Sequence, residues 1–125
     1  MKTIQSQPCE HVVEIYKCLC DLNRLRILNL LRTGTKCVCE IEDVLGIGSV
    51  RMAQQLGYLR RHGLVEVEVR GTWRLYSLTS KPTPELKANL ACLQDCIFEI
   101  RIFRDDLKRL KTVSRPRCGP NQAKC

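Results

Sequence analysis

Residues 39–78 read CEIEDVLGIGSVRMAQQLGYLRRHGLVEVEVRGTWRLYSL, and this stretch decides the fold because its hydrophobic period changes within it. "CEIEDVLGIG" puts Ile41, Val44 and Leu45 on one side of a short helix over residues 39–45, and Gly46 supplies its stop. Ser49 is placed to cap the next helix, "VRMAQQLGYLRRHG", whose Met52, Leu56 and Leu59 form one stripe and whose end is marked by His62 and Gly63. Alternation then takes over. Val65, Val67 and Val69, followed by Trp73 and Leu75 across the reversal Arg70-Gly71-Thr72, predict a two-stranded hairpin.

Upstream, Val12, Ile15, Tyr16 and Leu19 have helical spacing, and Leu25, Leu28 and Leu31 repeat the signal up to Gly34. Downstream, the prolines at 82 and 84 announce a further helix. Its apolar residues Leu86, Leu90, Leu93, Ile97 and Ile100 are spaced near a 3.5 repeat, and Phe103, Leu107 and Leu110 follow after one shortened step. That pattern makes a seam for a partner helix. Two helices, a helix-turn-helix and a hairpin directly after it predict a mainly α, winged helix-turn-helix domain over residues 1–111, forming a homodimer through its terminal helices. Residues 112–125, aperiodic, basic and bearing two prolines, read as a flexible tail.

The 125 residues carry a formal charge of +8, unevenly placed. Residues 46–78 hold five Lys/Arg against two Asp/Glu, and residues 101–125 eight against two, the footprint expected for a polyanion such as duplex DNA. On the winged-helix geometry, Ser49, Arg51, Gln54 and Gln55 lie on the first turns of the recognition helix, and Arg70, Thr72 and Arg74 at the hairpin tip are the wing contacts. Arginine suits guanine and glutamine adenine, while the Ser49 hydroxyl suits phosphate. No run approaches the ~18 apolar residues of a membrane span, and no apolar leader follows the basic start, so a cytoplasmic protein is expected. In that reducing compartment the nine cysteines read as thiolate chemistry or metal ligation rather than a disulfide framework. No thioredoxin-like pattern surrounds the C-x-C pair, which argues against an oxidoreductase, and the chain is not expected to be an enzyme.

Asp21-Leu-Asn-Arg-Leu-Arg26, Lys36-Cys-Val-Cys-Glu40 and the Leu59 to Leu64 turn together resemble the ArsR/SmtB family of metal- and metalloid-responsive repressors, across roughly residues 14–80. The resemblance implies a homodimer that binds an operator when free of inducer and leaves it when metal binds. Glu42 stands where the arsenic-type box has a third cysteine, so Cys37 and Cys39 need another ligand. By resemblance to the family's cadmium/lead sensors, an N-terminal arm can bring Cys9 to the box. Cys118 and Cys125 in the tail are the next candidates, and Cys92 and Cys96, at i and i+4 on one helix face, form either a separate dithiol site or small packed thiols at the seam. Cys18 and Cys20 read as packing residues. The zinc site that some relatives build from Asp and His on the last helix has no counterpart.

Physical chemistry limits what the box can do. Residues at i and i+2 of a finished helix point roughly 200° apart, so both thiols can grip one ion only if Cys37 is held in an extended turn at the helix start. The helix macrodipole favours a thiolate there. The expected inducers are As(III) or Sb(III), with Cd(II) or Pb(II) as alternatives, all matched to sulfur donors. A second expectation keeps the fold and replaces the ion with oxidation or persulfidation of the thiols.

Overall fold

The computed structural model describes residues 2–96 and 99–113, except for the side chains of residues 2–9 and of Cys96. Its elements run α1 (Lys2–Leu19), α2 (Leu22–Leu31), β1 (Lys36–Cys37), α3 (Val38–Leu45), α4 (Ser49–Arg61), β2 (Val65–Arg70), β3 (Trp73–Leu78), α5 (Pro84–Cys96) and α6 (Arg101–Thr112). Asp21 caps α2, its carboxylate accepting from the Arg24 backbone N–H at 3.1 Å, which fixes the corner between the first two helices. Gly46 ends α3 with φ 71°, a left-handed conformation that glycine adopts without Cβ strain, and the chain turns at once into α4. Gly48 rather than Ser49 is the cap of α4, and Ser49 is the first helical residue.

One hydrophobic core joins every helix. Ile27, Leu28 and Leu30 of α2, Ile41 and Val44 of α3, Met52, Leu56 and Leu59 of α4, Leu86 of α5 and Phe103 of α6 are all buried in it. The periodicities that predict α2, α3 and α4 therefore correspond to inward faces, while on the hairpin Val65 is buried and Val69 is 62% exposed. Tyr16 is the exception on α1. It is 58% exposed and Val13 is 50% exposed, so α1 has an outward apolar face beside Ile15, which is buried.

The hairpin gains a strand that alternation did not predict. β1 pairs antiparallel with β3, Lys36 opposite Tyr76 and Cys37 opposite Leu75, giving the order β1-β3-β2. A strand of two residues is too short to show a period. At the base of the wing, Glu66 of β2 accepts from the backbone N–H and hydroxyl of Ser80 and from Thr79, and these bonds hold its carboxyl below the ordinary carboxylate range.

The seam predicted from Leu86 to Leu110 is not one helix. The chain is extended at Ile100 (φ −100°, ψ 107°), and α6 packs on α2 and α3 of its own domain. The shortened apolar step before Phe103 marks this break, and Asp106 supplies its energetic reason. Asp106 is fully buried and receives two hydrogen bonds from Arg26 of α2, from Nε at 2.8 Å and Nη2 at 2.9 Å. A carboxylate on that face of a straight helix would have no such partner. The domain described thus extends to the end of α6 at Thr112, and residues 114–125 of the expected tail lie outside the described residues.

Candidate nucleic-acid interface and thiol site

The first turns of α4 point their polar side chains outward because Met52, Leu56 and Leu59 commit the opposite stripe to the core. Ser49, Arg51 and Gln54 are exposed. Gln55 is half-buried, and its side-chain oxygen accepts from Arg24 Nη1 at 2.9 Å, leaving its amide NH2 to donate outward. On the wing, Arg70, Thr72 and Arg74 are exposed, and Arg70 pairs with Glu68 at 2.9 Å. Ser49 and Arg74 share a cleft of about 350 Å³ between α4 and β3, together with Arg60, Ala53 and Tyr76. Two residues of this face were not predicted from sequence. Arg60 was legible only as part of a basic run at the helix end, and Val50 is an apolar side chain 73% exposed on the first turn of α4.

The arginines of the Asp21–Arg26 motif hold this face in place. Arg24 donates to the carbonyls of Lys17 at 3.0 Å and Cys18 at 2.8 Å at the end of α1, and lies 4.2 Å from the Tyr58 ring centroid of α4. Arg26 reaches the other way, to Asp106 and, at 3.5 Å, to the Leu45 carbonyl that ends α3. Arg109 of α6 completes that junction, donating to the Val44 carbonyl at 2.9 Å and to Asp106 at 2.6 Å. One motif thereby ties α1 to the recognition helix and α6 to the helix that precedes it.

Cys37 and Cys39 sit on the opposite end of α3. Cys37 is the helix cap, extended at φ −74° and ψ 148°, and its backbone N–H donates to Glu40 Oε1 at 2.8 Å in a capping box. This is the extended turn that joint ligation requires. The two sulfurs are 3.0 Å apart, and both residues are buried, against Trp73 and Leu75 of β3. Cys37 is disulfide-bonded, though not to Cys39, and Cys18 and Cys20 are free thiols. Burial lowers the pKa of the neighbouring Lys36 ammonium, opposed by Glu40. Once Cys37 is reduced the two sulfurs are near enough to enter the shell of one soft ion, whose bonds of ~2.3 Å set tetrahedral sulfurs further apart than they stand here.

Among the described residues no group of three or more His, Cys, Asp or Glu side chains forms a metal site. Cys9 lies in α1, but its side chain is outside the described set, as are the Cys96 side chain and the whole of Cys118 and Cys125. Cys92 is exposed in the single chain. Cys18 is fully buried, and burial pushes its thiol pKa up against the opposing effect of Arg24. Cys20 departs from the packing role expected of it and is exposed. No helix among the described residues is long and apolar enough to cross a membrane.

A helix-turn-helix running straight into a strand-paired wing, with arginine, glutamine and serine facing outward from both, defines a winged helix-turn-helix DNA-binding protein. The family described as "Bacterial regulatory protein, arsR family" matches residues 18–67. The chain is similar to a helix-turn-helix-type transcriptional regulator of Methanocaldococcus jannaschii, 35% identical over 78 residues that make up 62% of this chain and 88% of that protein. It is also similar to the arsenical resistance operon repressor of Bacillus subtilis, 30% identical over 84 residues, 66% of this chain and 77% of that one. Among solved structures, the homodimeric winged helix-turn-helix DNA-binding domain of Mb0332 from Mycobacterium bovis superposes with a TM-score of 0.63 at 26% identity, covering 76% of this chain and 85% of the other. The chain belongs to the ArsR family of DNA-binding transcriptional regulators, and it is not an enzyme.

Proposed function

We propose that the chain is a cytoplasmic, homodimeric repressor that leaves its operator when a thiophilic ion, As(III) or Sb(III) in first place and Cd(II) or Pb(II) in second, binds Cys37, Cys39 and a third cysteine, Cys9 by preference. The observation that carries this reading is the pair of buried sulfurs 3.0 Å apart at the cap of α3. The helix has only eight residues, so a distortion at its start is close to the Gly46 turn that leads into α4. The likeness to an arsenical resistance operon repressor supports the inducer class. Cys118, Cys125, Cys92 and Cys96 are the alternative ligands. The outward apolar face of α1, with Val13 and Tyr16, supports a second copy as partner.

In this reading Arg51, Gln54 and Gln55 read bases, Val50 packs on a thymine methyl, and Ser49, Arg70, Thr72 and Arg74 hold phosphates. Operator binding followed by fluorescence anisotropy tests it, with reduced wild type and the Cys37→Ser, Cys39→Ser and Cys9→Ser variants titrated with arsenite, antimonite and cadmium. Release of wild type but not of the box variants is the expected result, and the Cys9→Ser curve assigns the third ligand. Box variants that respond like wild type overturn the reading.

The disulfide at Cys37 favours one second reading, in which oxidation or persulfidation of the box replaces the ion. Peroxide alone then releases DNA, and reductant restores binding.

A further inference from the structure

Gln55 stands on the recognition helix with one end of its amide already committed. Its side-chain oxygen accepts from Arg24 Nη1 at 2.9 Å, a bond that joins α4 to α2. An arginine carries donors and no acceptor, so the amide end turned to it must be the oxygen and never the NH2. The guanidinium is itself held from several sides. Its Nε donates to the Cys18 carbonyl at 2.8 Å, its Nη2 to the Lys17 carbonyl at 3.0 Å, and its central carbon lies 4.2 Å from the Tyr58 ring centroid. The Arg24 backbone is fixed in turn by the Asp21 cap at the start of α2. Flipping the Gln55 amide would lose the bond to a charged donor and set two donors face to face.

From this placement we infer that Arg24 is a positioning residue that makes Gln55 a donor-only reader of the major groove, specific for guanine rather than adenine. The inference rests on the placement of α4 in the groove proposed above and does not depend on the thiols. A glutamine free to turn matches adenine with both ends of its amide, the oxygen accepting from N6–H2 and the NH2 donating to N7. Gln55 is half-buried, and the two ends of a planar amide diverge, so with the oxygen drawn to α2 the NH2 is the end left for a base. Guanine offers that NH2 two acceptors, N7 and O6, and no donor that needs a match in the groove. Adenine offers one acceptor beside an N6–H2 that meets no partner, and cytosine offers only a donor. The unmet donor, desolvated at the interface, sets the preference for guanine.

Duplexes selected from a random library by the reduced, metal-free, full-length protein give the preferred base at each position, and fluorescence anisotropy measures the affinities. One position favours guanine over adenine by about tenfold, within the usual cost of a mismatch, and loses that preference in Gln55→Ala. Replacing that guanine with 7-deazaguanine, which lacks the N7 acceptor, weakens wild type and leaves Gln55→Ala unchanged. Gln55→Glu still accepts from Arg24 but has no NH2, and the favoured base there becomes cytosine, whose N4–H2 donates. Arg24→Lys frees the amide, so adenine gains at that one position until the lead of guanine falls below about twofold, with preferences elsewhere unchanged. A merely structural Arg24 would weaken every duplex alike. Any base other than guanine at the Gln55 position, a Gln55→Ala variant with every preference intact, or an Arg24→Lys variant that still favours guanine tenfold overturns the inference while the groove reading stands. If Arg51→Ala, Gln54→Ala and Gln55→Ala change no base preference, the groove reading falls and this inference with it. Should Arg24→Lys fail to fold, the base identity and the 7-deazaguanine comparison decide.

Discussion

Replacing Asp106 with Asn tests whether α6 belongs to the domain it packs on. The substitution keeps the shape and removes the charge, leaving Arg26, 8% exposed, without its counterion. Asp106 raises the Arg26 pKa first through the hydrogen bond and then through its charge, so the guanidinium is held ionised at every pH below its ordinary value. The pair therefore persists through the neutral range. Breaking such a buried pair costs ~3–5 kcal/mol, a large share of a domain stability of ~5–15 kcal/mol. At ~3–5 °C per kcal/mol for a chain of this length, the midpoint falls by ~10–20 °C. The contact of Asp106 with Arg109 adds little to that figure, since the Arg109 side chain is 48% exposed and screened. Urea and thermal unfolding by circular dichroism, at fixed protein concentration, measure the loss. The control is the Arg26→Met/Asp106→Leu pair, which replaces both charges and recovers most of the stability. A loss below ~1 kcal/mol in Asp106→Asn would refute the reasoning, because the charge would then not be buried against Arg26 as described.

Three further outcomes follow from the same geometry. Gln54→Ala weakens operator binding by ~1–3 kcal/mol and relaxes preference at one base pair, read by anisotropy against a set of single-base operator variants; uniform weakening across the set argues against base contact. Arg74→Ala and Arg60→Ala each reduce the slope of log affinity against log salt by ~1 per half-site with sequence preference unchanged, and an unchanged slope removes the cleft from the DNA path. Iodoacetamide near neutral pH labels exposed Cys20 well before Cys18, whose thiol burial keeps protonated; mass-resolved equal rates would contradict the packing of α1 on the core.

The elements that sequence exposed are those whose side chains obey one period over a long enough run. Met52, Leu56 and Leu59 determine α4 because burial alone decides that face, whereas on the wing alternation was legible though only Val65 is buried and Val69 is 62% exposed. β1 escaped because Lys36 and Cys37 are too few to alternate, and their strand exists only through β3. The broken last helix was misread for a different reason. Leu86, Leu93 and Phe103 are all buried, so they satisfy the seam pattern equally well against a second chain or against their own domain. What separates the two cases is a single charge, Asp106, whose partner Arg26 lies 80 residues away and has no signature in local spacing.

The same distinction governs the thiol site. That Cys37 and Cys39 must meet in an extended turn follows from helix geometry, and the capping box with Glu40 shows how the sequence enforces it: an acid three residues after the cap takes the Cys37 N–H and holds that residue out of the helix. Trp73 could be read only as one more alternating apolar residue, since periodicity reports which face a side chain occupies. Its place against the thiol pair comes from the β1–β3 ladder. In the proposed function the α3 cap is the route from these sulfurs to the recognition helix.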